Sequence, residues 1–245
     1  MKKTFVDIHH HLLYGMDDGP KRIEEMEAMI DAAYSDGLRM IIATPHASPG
    51  VHPFDMDFYA KNLAQANDIC SRKGYELSVC GGSEIMYTSA TIRLLQNNQI
   101  PSLAETRFVL TEWPQHVSMT EVTEAIRNLS NAGYIPILAH VERLRCFRGR
   151  LDILRQMKNS FDVRIQVNAE SILSGTSMFS RNVVSHLLQS RLVDYVATDA
   201  HDVQGRQVQM KAAYLRLRSS YGKDYADDLT YTKPMEIIEA MDKNA

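Results

Sequence analysis

Residues 108–140 read FVLTEWPQHVSMTEVTEAIRNLSNAGYIPILAH. A short β-rich run, Phe108–Thr111, ends on a carboxylate at Glu112, and a second, Ile135–Ala139, ends on an imidazole at His140. Between them Met119–Ala132 repeats its apolar residues with helical period. Gly133 then stands where a helix should close in a left-handed residue. Strand, helix, strand in this order is a βα repeat, and such repeats build parallel sheets.

The same unit recurs on both sides. Strand-like runs are expected at Thr4–Ile8, Met40–Thr44, Leu77–Cys80, Val163–Val167 and Tyr195–Thr198, and helices at Ile23–Tyr34, Ala60–Cys70 and Val183–Gln189. Gly37 and Gly74 repeat the role of Gly133. Seven units without a linker, a low-complexity stretch or a charge block predict one domain over residues 1–245, an α/β fold closed or nearly closed into a barrel. The tail from Lys223 to Ala245 reads as a loop plus a last helix around Pro234–Met241.

Composition narrows the class. The chain has 245 residues, 44% hydrophobic and 23% charged, with a formal net charge of −3. This argues against disorder and against wholesale electrostatic capture of nucleic acid or an anionic membrane. Cys70, Cys80 and Cys146 give no disulfide framework, so a reducing cytoplasm is expected. The opening MKKTFVDIHHH has no apolar stretch of the signal-peptide kind, and no run approaches the roughly 20 residues that span a bilayer.

The polar residues at the strand ends point to chemistry. They are Asp7, His9 and His11, with Asp17 and Asp18 in the following loop, then His46, Glu84, Glu112, His140, Asn168, Glu170, Asp199 and His201. Glu84, Glu112, His140 and Asn168 follow one another at intervals of 28 residues, one βα unit each, so they should share a rim. Strand ends at the C-terminal rim are where α/β barrels carry their active sites. Side chains two apart on a strand face the same way, which pairs His9 with His11 and Asp199 with His201. So many acids and imidazoles at one rim are costly without cations, and a donor set of nitrogen and oxygen without thiolate suits Zn, Mn or Fe. There are too many donors for one ion; a bridging carboxylate such as Glu84 implies two or three. Arg143 and Arg206 stand close by in sequence, and guanidinium matches phosphate oxygens. Hydrolysis of a phosphate ester is the expected reaction.

The motifs DIHHHLLYGMDDGP, ATPHAS, GGSEI, LTEWP, LAHVERL and ATDAHD, in this order, resemble the PHP (polymerase and histidinol phosphatase) superfamily. More closely they are similar to the bacterial manganese-dependent protein-tyrosine phosphatases of capsule and exopolysaccharide loci, the CpsB/CapC type. The resemblance runs from about residue 5 to 210. It implies a distorted seven-stranded (β/α) barrel, TIM-barrel-like, with a Mn²⁺ cluster in which Fe or Zn could substitute. It places His9, His11, Glu84 and Asp199 on a first ion, Glu84, Glu112 and His140 on a second, and Asp18, His46 and His201 on a third. Arg143 and Arg206 would contact phosphate, Asp199 would sit at the catalytic centre, and Asp7 and Asp17 would support ligands. Phosphotyrosine would be hydrolysed by a hydroxide activated by the ions. The usual D-x-H-S-H is broken by His10, which should point away from its neighbours and act structurally.

Other readings are distinguishable. A cysteine phosphatase would need C-x5-R, which is absent, and an amidohydrolase would place lysine where Glu112 stands. A histidinol-phosphate or small-phosphoester hydrolase would use the same ligands, whereas a metal-dependent scaffold in a polysaccharide complex would not require so complete a set. The basic run RLRCFRGR, with Arg143, Arg145, Arg148 and Arg150, suits a phosphorylated tail such as the tyrosine-rich tail of a bacterial tyrosine kinase. His52, His116 and His186 read as surface residues, and Met26, Met29 and Met40 as packing residues.

Overall fold

The computed structural model describes residues 4–173 and 178–241. The two lysines at the start and the last four residues of the expected tail lie outside the described residues. The strands are β1 (Phe5–His10), β2 (Leu38–Ala43), β3 (His46–Ala47), β4 (Ser78–Gly81), β5 (Glu84–Met86), β6 (Phe108–Glu112), β7 (Ile135–Leu138), β8 (Arg164–Asn168) and β9 (Tyr195–Ala197). The helices are α1 (Ile23–Asp36), α2 (Met56–Arg72), α3 (Thr91–Gln96), α4 (Met119–Asn131), α5 (Leu151–Ser160), α6 (Ala169–Leu173), α7 (Met178–Gln189), α8 (Met210–Tyr221), α9 (Lys223–Asp227) and α10 (Lys233–Met241).

Helix α4 shows why the repeat folds as it reads. Ser118 accepts a hydrogen bond from the Glu121 N–H while the Glu121 carboxylate accepts one from the Ser118 N–H, closing a capping box at its start. Val122, Ala125, Ile126 and Leu129 recur at helical spacing and are buried. Gly133, at φ 87°, then turns the chain back toward β7 in a conformation that costs glycine little.

Among the described residues all strand pairs are parallel, and they form two sheets, β1-β2-β4 and β3-β5-β6-β7-β8-β9. The seven expected runs each carry a strand, but the count differs, because two runs split. Pro45 has no N–H with which to continue the ladder after β2. Gly82, after β4, lies so close to its neighbours that a Cβ there would meet Leu103 at 2.8 Å and Ile42 at 2.9 Å. Beyond these breaks β3 and β5 step sideways to join β6, while β2 and β4 stay with β1. At the upper rim β1 meets β9: the Asp199 N–H donates to His9 O and the His11 N–H to Ala200 O, both at 2.9 Å. The result is an α/β fold with a curled parallel sheet.

The inside of the curl is apolar, built from Val6, Ile8, Ile42, Leu110, Ile137, Tyr195 and Ala197. The C-terminal tail closes its lower end. Where a loop was expected from Lys223, the chain is helical through α9, a π-turn (Asp228–Thr232) and α10. Ile237 and Ile238 enter the apolar interior, which explains why this polar stretch orders. Lys158 and Lys233 both pair with the nearly buried Asp194, tying α10 to α5 and to the approach to β9. No helix among the described residues is long and apolar enough to cross a membrane.

Candidate metal centre

The upper rim gathers all nine residues expected as ligands. His9 and His11 bring their Nε2 atoms to 3.1 Å of each other. Glu84, at the start of β5, puts Oε2 3.1 Å from His9 Nε2, 3.2 Å from His11 Nε2 and 3.2 Å from His46 Nδ1. Its other oxygen lies 2.7 Å from His140 Nε2. Asp199 Oδ1 lies 3.3 Å from His9 Nε2 and 3.4 Å from His11 Nε2. Glu112 approaches His46 Nδ1 at 2.9 Å, and Asp18 approaches His201 at 3.1 Å and His46 at 3.4 Å.

Three groups result whose donor atoms all lie within 4.8 Å of one another: His9, His11, Glu84 and Asp199; His46, Glu84 and Glu112; and His11, Asp18, His46 and His201. The first matches the expected set. The second groups His46 with Glu84 and Glu112, and the expected His140 stands beside it, 2.7 Å from Glu84 and 3.8 Å from Glu112. The third contains the expected trio and adds His11.

The arrangement fits metal ions better than it fits mutual hydrogen bonding. His46 Nδ1 and His201 Nε2 are buried, sit about 3 Å from carboxylate oxygens, and yet make no hydrogen bond. Donor atoms that converge at this distance without pointing at each other point to a common centre. The set of imidazole and carboxylate, with carboxylates able to bridge, suits borderline divalent ions.

Orientation is supplied from behind. Asp17 Oδ2 lies 2.6 Å from His11 Nδ1, and the same carboxylate accepts the N–H groups of Gly19 and His46 at 2.9 Å. His201 Nδ1 lies 2.9 Å from the Asp199 carbonyl. Asp7 accepts from the Thr198 N–H and hydroxyl and from the His9 N–H, locking β1 to the end of β9. Such contacts fix ring orientation and tautomer. His140, at φ 33°, and Asp199, at φ 53°, occupy the left-handed region, strain that clusters at functional positions.

Burial by itself would raise the Glu84 carboxyl, but His9, His11 and His140 outweigh it and hold it well below the usual carboxylate range. Asp199 behaves the same way: burial raises it, and His9 and His11 more than offset that. Burial, then the Thr198 and His9 contacts acting against it, leave Asp7 near 6. His10 is fully buried, and neither ring nitrogen has a hydrogen-bond partner. Burial, with His11 and His201 nearby, pushes it down to about 3, so it packs as a neutral ring. It belongs to none of the three donor groups.

Beside the cluster, Arg143 lies 3.0 Å from Asp199 Oδ2, and Arg206 lies 2.8 Å from Asp199 Oδ1 and 3.3 Å from Asp18 Oδ2. Arg206 stands on a turn in which Asp202 accepts the N–H groups of Gln204, Gly205 and Arg206. Asn168 donates to Asp199 Oδ2 at 2.7 Å, and Glu170 is half-buried in the first turn of α6. His52, His116 and His186 are exposed. A cavity of about 450 Å³ opens next to the cluster, lined by Asp18, Arg22, Glu24, Glu25, His201 and Val203. A larger cavity, about 710 Å³, lies beside β4 and α2, lined among others by Tyr59, Leu63, Val79 and Gly81, and touches none of the cluster.

Sequence reasoning missed Gln166, which accepts the His140 N–H at 2.7 Å and faces His9 Nδ1 at 3.3 Å. An amide inside the apolar run RIQVN is the signal that could have found it.

Comparison with known proteins agrees with this geometry. The tyrosine-protein phosphatase CpsB of Streptococcus pneumoniae is 28% identical over 238 residues, covering 95% of this chain and 98% of that protein. The tyrosine-protein phosphatase YwqE of Bacillus subtilis is 30% identical over 230 residues, covering 92% and 88%. A solved structure from work on YwqE and CpsB, described as metal-dependent tyrosine phosphatases, superposes with a TM-score of 0.86 at 27% identity, over 97% of this chain and 94% of its own. The histidinol phosphate phosphatase of Lactococcus lactis, solved with zinc, L-histidinol and phosphate, shares the fold at TM-score 0.59 and 15% identity over 91% of this chain and 94% of its own. Residues 5–239 match the family described as capsular polysaccharide synthesis, CpsB/CapC, and the chain belongs to that family.

Proposed function

We propose that this chain is a metal-dependent protein-tyrosine phosphatase whose ions, two or three Mn²⁺ with Fe or Zn as substitutes, are held by His9, His11, Asp18, His46, Glu84, Glu112, His140, Asp199 and His201. The observation that carries the reading is the meeting of three donor groups at one rim, two of them sharing the Glu84 carboxylate, with two guanidinium groups alongside. When bound, the ions supply Lewis acidity and lower the pKa of coordinated water.

The chain's own residues do the rest. Glu84 belongs to two donor groups, with Oε2 against His9, His11 and His46, and so ties them together. Asp17 orients His11, leaving its Nε2 free toward the cluster. Arg143 and Arg206, each now on an Asp199 oxygen, are placed to take phosphate oxygens and offset charge that grows on them. The leaving phenolate has a parent pKa of about 10 and departs with less help from an acid than an alkoxide would need.

The basic segment after β7 supports a finer reading, in which the substrate is the phosphorylated tyrosine-rich tail of a bacterial tyrosine kinase in the cytoplasm. Arg145, Arg148 and Arg150 are exposed there, directly beyond His140. The test is a substrate panel with Mn²⁺: kcat/KM should favour a phosphotyrosine peptide over a phosphoserine peptide and over histidinol phosphate. Preference for histidinol phosphate would replace the assignment with that of a small-phosphoester hydrolase, and no turnover of any would leave the scaffold reading.

A further inference from the structure

Strand β8 carries two amides, Gln166 and Asn168, where its neighbours are apolar, and both are fully or almost fully buried. They alternate by two and so face the same way. The His140 backbone N–H donates to Gln166 Oε1 at 2.7 Å. A backbone N–H can only donate, so this bond decides which end of the Gln166 amide is oxygen. Gln166 Nε2 therefore donates to Asn168 Oδ1 at 2.8 Å, and Asn168 Nδ2 to Asp199 Oδ2 at 2.7 Å. At its other end Gln166 Oε1 lies 3.3 Å from His9 Nδ1. An acceptor there requires hydrogen on Nδ1 and leaves Nε2 with its lone pair toward Glu84 and Asp199. Glu142 Oε1, itself buried, accepts the Asn168 N–H at 3.0 Å and pins the end of the strand.

We propose that Gln166 and Asn168 are positioning residues, a one-way chain of amides that presents His9 and Asp199 together to a single ion and sets the affinity of that position. The chain is polarised from one backbone N–H, so both ends are set at once: a lone pair on His9, and a carboxylate on Asp199 held by its outer oxygen with Oδ1 toward the cluster. Asp17 holds the His11 ring and the His46 N–H of another donor group, whereas the amide relay joins His9 and Asp199 of the first. The inference rests on the metal-dependent reading above.

The test is Mn²⁺ binding by equilibrium dialysis and elemental analysis, on wild type, Gln166→Met, Asn168→Leu and the double variant, with metal-free thermal unfolding alongside. Each single variant should weaken one Mn²⁺ per chain by about 10–100-fold. The double variant should be no worse than the poorer single, because a chain broken once is broken. Gln166→Glu keeps the acceptor for His140 and His9 but loses the donor to Asn168, so it should give an intermediate loss even if the apolar variants fold poorly. Affinities within twofold of wild type overturn the relay, as do losses that add in the double variant, spread over every ion and follow a fall in metal-free stability. A wild-type protein that takes up no ion overturns the metal-dependent reading and the relay with it, whereas wild-type uptake with unchanged variants overturns the relay alone.

Discussion

Replacing Arg143 or Arg206 by alanine tests the phosphate-binding assignment without replacing a proposed ligand. Each guanidinium holds an Asp199 oxygen at 3.0 or 2.8 Å, a distance at which a phosphate oxygen would receive the same charge-assisted bond. Such a bond contributes about 1.5–3 kcal/mol. At about 1.4 kcal/mol per tenfold, its loss predicts a fall in kcat/KM of about 10–150-fold. Both side chains are about a third exposed, so water partly replaces the lost group and the lower half of the range is expected. Lysine restores the charge but not the planar fork, so Arg206→Lys should recover only part of the loss. The assay is steady-state hydrolysis of an aryl phosphate at saturating Mn²⁺, with metal content measured on the same samples. A fall below twofold in both variants would refute the reasoning, as would a fall that merely tracks lost metal.

Four further outcomes follow from the same geometry. Glu84→Ala removes the carboxylate that meets His9, His11, His46 and His140, and should abolish both Mn²⁺ binding at two positions and phosphatase activity; retained turnover would sink the ligand assignment. Asp17→Ala frees the His11 ring and should weaken Mn²⁺ binding about 10–100-fold, read by metal titration. Ile237→Ala opens the apolar interior under the sheet and should cost about 2–5 kcal/mol in urea unfolding while leaving metal stoichiometry intact. Arg145→Glu combined with Arg148→Glu should raise KM for a phosphorylated acidic tail more than for a small aryl phosphate, and equal effects would remove the docking role.

The βα repeat and the rim were legible because both are local. Helical period, strand composition and a polar residue at each strand end lie within one 28-residue unit, as Glu112 and His140 show. The splitting of two strands was not, because Pro45 and Gly82 act through partners far along the chain: Leu103 and Ile42 for the glycine, β6 for the displaced strands. The helical tail was hidden for a similar reason. Ile237 and Ile238 are a modest apolar pair until an open, apolar end of the sheet gives them somewhere to go. Within the site, ligands carry their chemistry in their own side chains, whereas Gln166 acquires its role from His9, 157 residues away. The sharing of His46 between two donor groups likewise depends on ring placement that spacing does not encode.

The most direct test of the central claim is phosphotyrosine hydrolysis by metal-stripped protein as Mn²⁺ is returned, with bound ions counted at each point. Activity should be absent after chelation and rise only as a second and then a third ion is taken up per chain. Turnover that survives chelation, or that is complete with no ion bound, would contradict a phosphatase built on these ligands.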